Sequence, residues 1–220
     1  MGTTKIVPES MKSLDVVPGI TGYQNGIEQF VQLNESVDFY KLHECILHLV
    51  PKSKSSILDL GAGSGRDAAA LAGMGHNVIA IDPMTEFLKA AEIIHSSSKI
   101  QWVNDSLPNL VSFSPSTESF DFILCHGVWQ HLNEDERSIA LKRISQLLKP
   151  RGLFALALRH GPAGLGTYCF PASVDKTIVD AGRSNLNLVL NLREQSSVIA
   201  NKPGVTWTRL GFEKCAGVSH

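Results

Sequence analysis

Gly61, Gly63 and Gly65 alternate with other residues where the apolar run ILDL, residues 57–60, gives way to the helical rhythm of RDAAALA, residues 66–72. Glycine accepts positive φ and lets a ligand approach the main chain, and a helix N-terminus offers unpaired N–H donors, so such a hinge commonly faces a ligand. The spacing narrows the choice of ligand. A dinucleotide site needs G-x-G-x-x-G, and Arg66 stands where the third glycine belongs. A phosphate-binding P-loop needs G-K-[ST] after the turn, which is missing. The next strand-like run ends VIAIDP, placing Asp82 beside the first turn, where a carboxylate can accept both hydroxyls of a ribose. The run after that ends WVNDSLP and presents Asn104 and Asp105, whose donors and acceptors suit an adenine rim. Three consecutive strand ends therefore point to one nucleoside-like ligand.

Other candidates lie further along. FDFILCHGVWQHL, residues 120–132, ends a buried run with Cys125 and turns through a loop that holds His126, Trp129 and His131, candidate floor or wall residues for a second reactant. LRHGPAGLGTY, residues 158–168, opens at the same edge and offers Arg159 and His160. Asp59, at the end of the first run, can anchor the glycine loop or meet a ligand ammonium; Asp67, in the first helical turn, can complement the helix dipole or contact ligand. His43, Cys45 and His48 look like a metal set, but offsets of two and five do not share a helix face, and no metal is expected.

These residues need a scaffold that brings strand ends together. Strand-like runs fall at 56–60, 77–81, 100–103, 120–125, 153–158, 187–192 and 205–212, with helical stretches at about 65–74, 85–96, 134–148 and 172–183. Asn133 and Glu136 form a capping-box pattern at the start of the third helix. Strand, helix, strand with short connections predicts an α/β fold, a mostly parallel sheet covered by helices on both faces. The last two runs follow each other without a helix, which predicts one antiparallel strand. Residues 26–50 suggest one or two helices ended by Pro51. Residues 1–22 read as a loose arm or lid, because Ile6, Val7, Met11, Leu14, Val16, Val17 and Ile20 are too many for a solvated tail and too irregular for a helix. That arm is expected to fold, with Tyr23, over the pocket near Trp129 and Arg159, and residues 23–220 to form a single domain.

The 220 residues carry 20 basic and 21 acidic side chains, a formal charge of −1, without the clustering that a nucleic-acid footprint leaves. The four cysteines form no CxxC pair and fit reduced thiols in a cytoplasm. No h-region opens the chain and no segment has the length to cross a bilayer, so a soluble cytoplasmic protein is expected.

Taken in order, LDLGAGSGRDAAALA, AIDP, NDSLP, FDFILCHGVWQHL and LLKPRGLFALAL resemble the motifs of the class I S-adenosylmethionine-dependent methyltransferases, from about residue 36 to 160 and more loosely to 212. The resemblance implies a Rossmann-like seven-stranded sheet of order 3-2-1-4-5-7-6 with strand 7 antiparallel, and S-adenosyl-L-methionine as cofactor. It implies a cofactor site built from Asp59, Gly61, Ala62, Gly63, Ser64, Gly65, Asp82, Pro83, Met84, Asn104, Asp105, Ser106, Cys125, His126 and Gly127. In that family the last motif usually carries two glycines; here the first is Arg151, and Gly152 keeps the turn. Methyl transfer from a sulfonium mainly demands alignment and exclusion of water, so no fixed catalytic set is expected, and His126, His131, His160 and Arg159 are the candidates to face the acceptor. A small-molecule acceptor is expected, with no nucleic acid and no membrane; the alternatives are a methyltransferase acting on protein or RNA and a cofactor-binding module without catalysis.

Overall fold

The computed structural model describes residues 22–114, 118–163, 169–198 and 203–216. The expected arm lies outside the described residues except for Gly22.

Two helices, α1 (Ile27–Glu35) and α2 (Phe39–His43), precede a 3₁₀ segment at Glu44–Leu49. Asp38 starts α2 by accepting the Lys41 N–H, which satisfies one of the first-turn donors. The alternating region then follows: β1 (Ser56–Leu60), α3 (Arg66–Gly73), β2 (Asn77–Asp82), α4 (Thr85–Ile94), β3 (Ile100–Asn104) and β4 (Phe120–His126). After it come α5 (Glu134–Leu147), β5 (Leu148–His160), α6 (Val174–Arg183), β6 (Leu186–Ser196) and β7 (Thr206–Lys214). The sheet order is β3-β2-β1-β4-β5-β7-β6. The first five strands pair in parallel, and β7 runs antiparallel to both β5 and β6. Fold class and order are those expected.

The central strands read as near-continuous apolar runs, interrupted by Asp59 and Asp121, because both faces are covered. Leu58, Leu60, Ile123 and Cys125 pack with Ala140, Leu141 and Ile144 of α5, whereas Ile57, Phe122 and Leu124 pack with Ala68 and Leu71 of α3 and with Phe39, Ile46 and Leu49. The α5 start is a full capping box, with Asn133 Oδ1 accepting from Glu136 N and Glu136 Oε2 accepting from Asn133 N.

Two strands are longer than expected. β5 begins at Leu148, directly after α5, because Leu148 already pairs with Phe120 before an irregular stretch shifts the register and Leu153 pairs with Phe122. Arg151 sits in that stretch at φ 64, the left-handed region that glycine tolerates best. A Cβ on Gly152 would lie 2.9 Å from Lys149 O, so glycine is required there by space. β6 extends to Ser196, because its pairing with β7 continues past two register shifts.

Candidate active site

The carboxyl ends of β1, β2, β4 and β5 and the first residues of antiparallel β7 converge on a cavity of about 360 Å³. Open α/β sheets bind ligands at this edge, where the strand order reverses beside β1.

The glycine loop forms one wall. Gly61 and Gly63 take φ 74 and 55, conformations costly for other residues, and Gly61 N and Ala62 N both donate to Ile81 O at 2.8 Å. Gly61 through Ser64 line the cavity. Gly65 does not. A Cβ there would lie 2.6 Å from Trp102 Cη2 and 3.0 Å from Ala91 Cβ, so the third glycine lets α3 start against β3 and α4.

Asp82 ends β2 and lines the cavity with Pro83 and Met84. Its Oδ2 accepts from Gly63 N at 2.9 Å and its Oδ1 from Met84 N at 2.8 Å, so one carboxylate joins the glycine loop to the start of α4. Burial pushes its carboxyl up to about 6, although both N–H bonds pull the other way. Each oxygen keeps a lone pair for a further donor.

Asp105, Ser106 and Leu107 line the end beyond β3. The Asp105 carboxylate is spent on its own loop, accepting from Ser106 N at 2.7 Å, Val111 N at 3.2 Å and Ser112 N at 2.8 Å. Asn104 lies away from the cavity: its Nδ2 donates to Asp82 O at 3.1 Å and to Pro83 O at 2.9 Å, fixing the turn that aims Asp82. Asp59 and Cys125 are also set back from the lining. Burial and then Asp67 push the Asp59 carboxyl well up, and its Oδ2 has no hydrogen-bond partner.

His126 and Gly127, after β4, line the cavity beside Val128. His126 belongs to a cluster that the sequence pattern did not disclose. Asp67 Oδ2 lies 2.8 Å from His43 Nε2 and 3.8 Å from His126 Nδ1, and Asp67 Oδ1 accepts from Arg66 Nε at 2.8 Å. Burial opposes the charge on Asp67, but His43, Arg66 and His126 outweigh it and hold the carboxyl far below its ordinary range. Burial and the nearby Arg209 guanidinium hold the His126 imidazole well below its ordinary range, so it is neutral at neutral pH. Its Nε2 is enclosed and has no hydrogen-bond partner among the described residues. The ligand atoms of His43, Asp67 and His126 lie within 4.8 Å of one another, the composition of a two-histidine, one-carboxylate cation site. Arg66 and Arg209 flank it with two guanidinium charges, so the arrangement fits a hydrogen-bonded brace between α2, α3 and β4 better than a dication.

Tyr23, Phe30 and Phe87 line the cavity and meet edge-on and tilted, with ring centroids 5.0, 5.9 and 4.7 Å apart. Tyr23 reaches His131, its hydroxyl 3.4 Å from Nε2. Burial pushes the Tyr23 phenol up to about 12. His131 and Gln130 line the cavity, but Trp129 points the other way, fully buried against Phe154 in the core. The single 3₁₀ turn at Trp129–His131 decides this split, and Arg137 holds it by donating to Trp129 O, Pro171 O and Phe170 O. On the far side stand Arg159, Cys169 and Trp207. His160 is turned away, with Nε2 2.9 Å from Thr208 Oγ1. Thus Trp129 and His160, expected beside the second reactant, do not line the cavity, while Arg159, His126 and His131 do.

Comparison with known proteins adds to this geometry. Residues 58–156 match the family model described as a methyltransferase domain. A ubiquinone biosynthesis O-methyltransferase of Rickettsia typhi is 30% identical over 116 residues, which make up 52% of this chain and 45% of that protein. The chain thus spans about half the length of the curated relatives it matches. Among solved structures, a 1,6-didemethyltoxoflavin-N1-methyltransferase of Burkholderia thailandensis, with its substrate and S-adenosylhomocysteine bound, superposes with TM-score 0.70 at 20% identity over 98% of this chain and 93% of that one. A TehB-like S-adenosylmethionine-dependent methyltransferase of Corynebacterium glutamicum gives TM-score 0.64 at 25% identity, over 87% of this chain and 97% of that one.

Proposed function

We propose that this chain, whose residues 58–156 form a methyltransferase domain of the class I S-adenosylmethionine-dependent type, transfers the methyl group of S-adenosylmethionine to a small-molecule acceptor. The observation that carries the reading is the division of one cavity between two halves of the sheet edge. Over β2 and β1, Asp82 and the Gly61–Ser64 loop offer carboxylate lone pairs and an approachable backbone; over β4, β5 and β7 lie His126, Arg159 and Trp207. A volume of about 360 Å³ is within the range of small-molecule sites.

The residues present fit the cofactor that this fold implies. Asp82 would accept from the ribose hydroxyls, Ser106 and Leu107 would border the adenine, and Gly61 and Gly63 would let the methionyl part approach the main chain. When bound, S-adenosylmethionine supplies an activated methyl on a sulfonium. The protein's part is alignment and exclusion of water. Tyr23, Phe30 and Phe87 close the cavity from the N-terminal side, and the brace around Asp67 fixes His126 at the end of β4.

No helix among the described residues is long and apolar enough to cross a membrane. The free cysteines Cys45, Cys125, Cys169 and Cys215 support a reducing compartment, the cytoplasm. Residues 1–22 and 23–220 remain our proposed division into arm and domain.

Calorimetry tests the cofactor: S-adenosylhomocysteine should bind and NAD should not. NAD binding without S-adenosylhomocysteine binding would sink the reading. Metabolite profiling of a cell extract with methyl-labelled S-adenosylmethionine then tests transfer.

A further inference from the structure

The charged groups that line the cavity differ in one respect. Asp67 is paired with Arg66 and His43, both at 2.8 Å. Asp82 holds two backbone N–H groups and Asp105 holds three, at 2.7–3.2 Å. Arg159 is the exception. Among the described residues its Nη1 reaches only Gly161 O at 3.4 Å and Cys169 Sγ at 3.9 Å, and no carboxylate pairs with it. Guanidinium presents a planar fork of donors that matches a carboxylate bidentately.

Its position identifies which reactant it meets. Arg159 pairs in register with Trp207 on β7 and stands on β5, two strands from the glycine loop, or about 10 Å at the usual strand spacing. The ribose acceptor Asp82 lies on β2, on the other side of β1. Arg159 therefore belongs to the acceptor half of the cavity. There it is accompanied by flat surfaces: the Trp207 indole, tilted against the His126 ring at 5.0 Å, and Tyr23 above.

Resting on the methyltransferase reading, we infer that Arg159 seats an anionic group of the methyl acceptor and that the acceptor is a planar aromatic or heteroaromatic carboxylate. One guanidinium balances one unit of negative charge. A phosphate monoester, with close to two, would call for a second free cation, and the other lining arginine, Arg66, is engaged by Asp67.

The test uses the full chain saturated with S-adenosylhomocysteine, and the apo chain in parallel, titrated by calorimetry with benzoate, 4-hydroxybenzoate and nicotinate and with the matching amides. Phenyl phosphate forms a third arm. At least one acid should bind about tenfold or more tighter than its amide, the discrimination expected of a charge-assisted pair. Arg159→Gln should abolish that preference and Arg159→Lys should recover part of it, with S-adenosylhomocysteine titration and circular dichroism as fold controls. Equal binding of acids and amides, binding of none of the acids, retention of the preference in Arg159→Gln, or tighter binding of phenyl phosphate would each overturn the inference. Failure of S-adenosylhomocysteine to bind would overturn the methyltransferase reading instead, and the apo titrations would still decide the anion preference.

Discussion

Acidification through about pH 6 should weaken S-adenosylhomocysteine binding while stabilising the empty protein, and both effects trace to Asp82. Its carboxyl is buried, 6% exposed, and burial raises it from 3.8 to about 6. Ribose hydroxyls donate to the ionised form; protonation of that carboxylate turns an acceptor into a competing donor. With binding restricted to the ionised form, the apparent dissociation constant at about pH 5 is raised roughly tenfold over that at about pH 8, or ~1.4 kcal/mol. The stability slope has the opposite sense. A carboxyl raised in the folded state contributes stability that is present below the unfolded value of 3.8 and lost as pH rises through about 6. The shift of roughly two units corresponds to about 3 kcal/mol lost from the empty protein by neutral pH. Calorimetry from about pH 5 to 8 reads the first slope, and denaturant unfolding of the apo protein reads the second. Asp82→Ala should flatten both and weaken binding by about 1.5–3 kcal/mol at neutral pH. A wild-type dissociation constant constant over this range, or an Asp82→Ala variant with the wild-type slope, would refute the assignment of Asp82.

Other substitutions probe the frame around the cavity. Gly63→Val places a branched side chain at φ 55 with its Cβ 3.3 Å from Phe30 Cε1; S-adenosylhomocysteine titration should show loss of binding while circular dichroism keeps the native signal. Asp67→Asn breaks a buried ionic cluster, and guanidinium unfolding should show a loss of about 3–5 kcal/mol, whereas wild-type stability would mean that the brace contributes nothing. Arg151→Gly relieves a left-handed non-glycine residue whose ion pair to Glu213, at 3.7 Å, is exposed, and its unfolding free energy should rise by roughly 1 kcal/mol.

Legibility followed the range over which each feature is determined. The α5 capping box is written in four consecutive residues and the mostly parallel sheet in the alternation of elements, so both could be read from the chain, whereas the strand order followed from the motifs' resemblance to a known family. What failed depended on which way a side chain faces. Gly65 follows the same alternation as Gly61 and Gly63, yet the start of α3 turns it toward Trp102. Trp129 and His131 are two residues apart, and one 3₁₀ turn sends the first into the core and the second to the cavity. His43 shares its own segment with Cys45 and His48, while its partner Asp67 is 24 residues away. No local pattern announces a contact made by packing α2 on α3. The contact of Phe30 on α1 with Phe87 on α4 is of the same kind, made between elements far apart in the chain.

The brace also explains why so much ionic structure stands beside a cavity whose chemistry asks for little of it. α1 and α2 precede the alternating region, so the wall they contribute must be pinned to the sheet edge by contacts distant in sequence. Apolar packing of Tyr23, Phe30 and Phe87 is tolerant of sliding, since aromatic pairs accept several geometries. The His43–Asp67 contact and the Arg66 donation to Asn34 O at 3.1 Å are directional and fix α1 and α2 against α3. Because Arg66 stands where a dinucleotide site carries glycine, the residue that excludes the dinucleotide pattern is also one that ties the N-terminal wall in place. On the proposed reading, alignment of donor and acceptor would be set by two kinds of restraint: backbone N–H groups organised by Asp82 on the half assigned to the cofactor, and a charged brace behind His126 on the other.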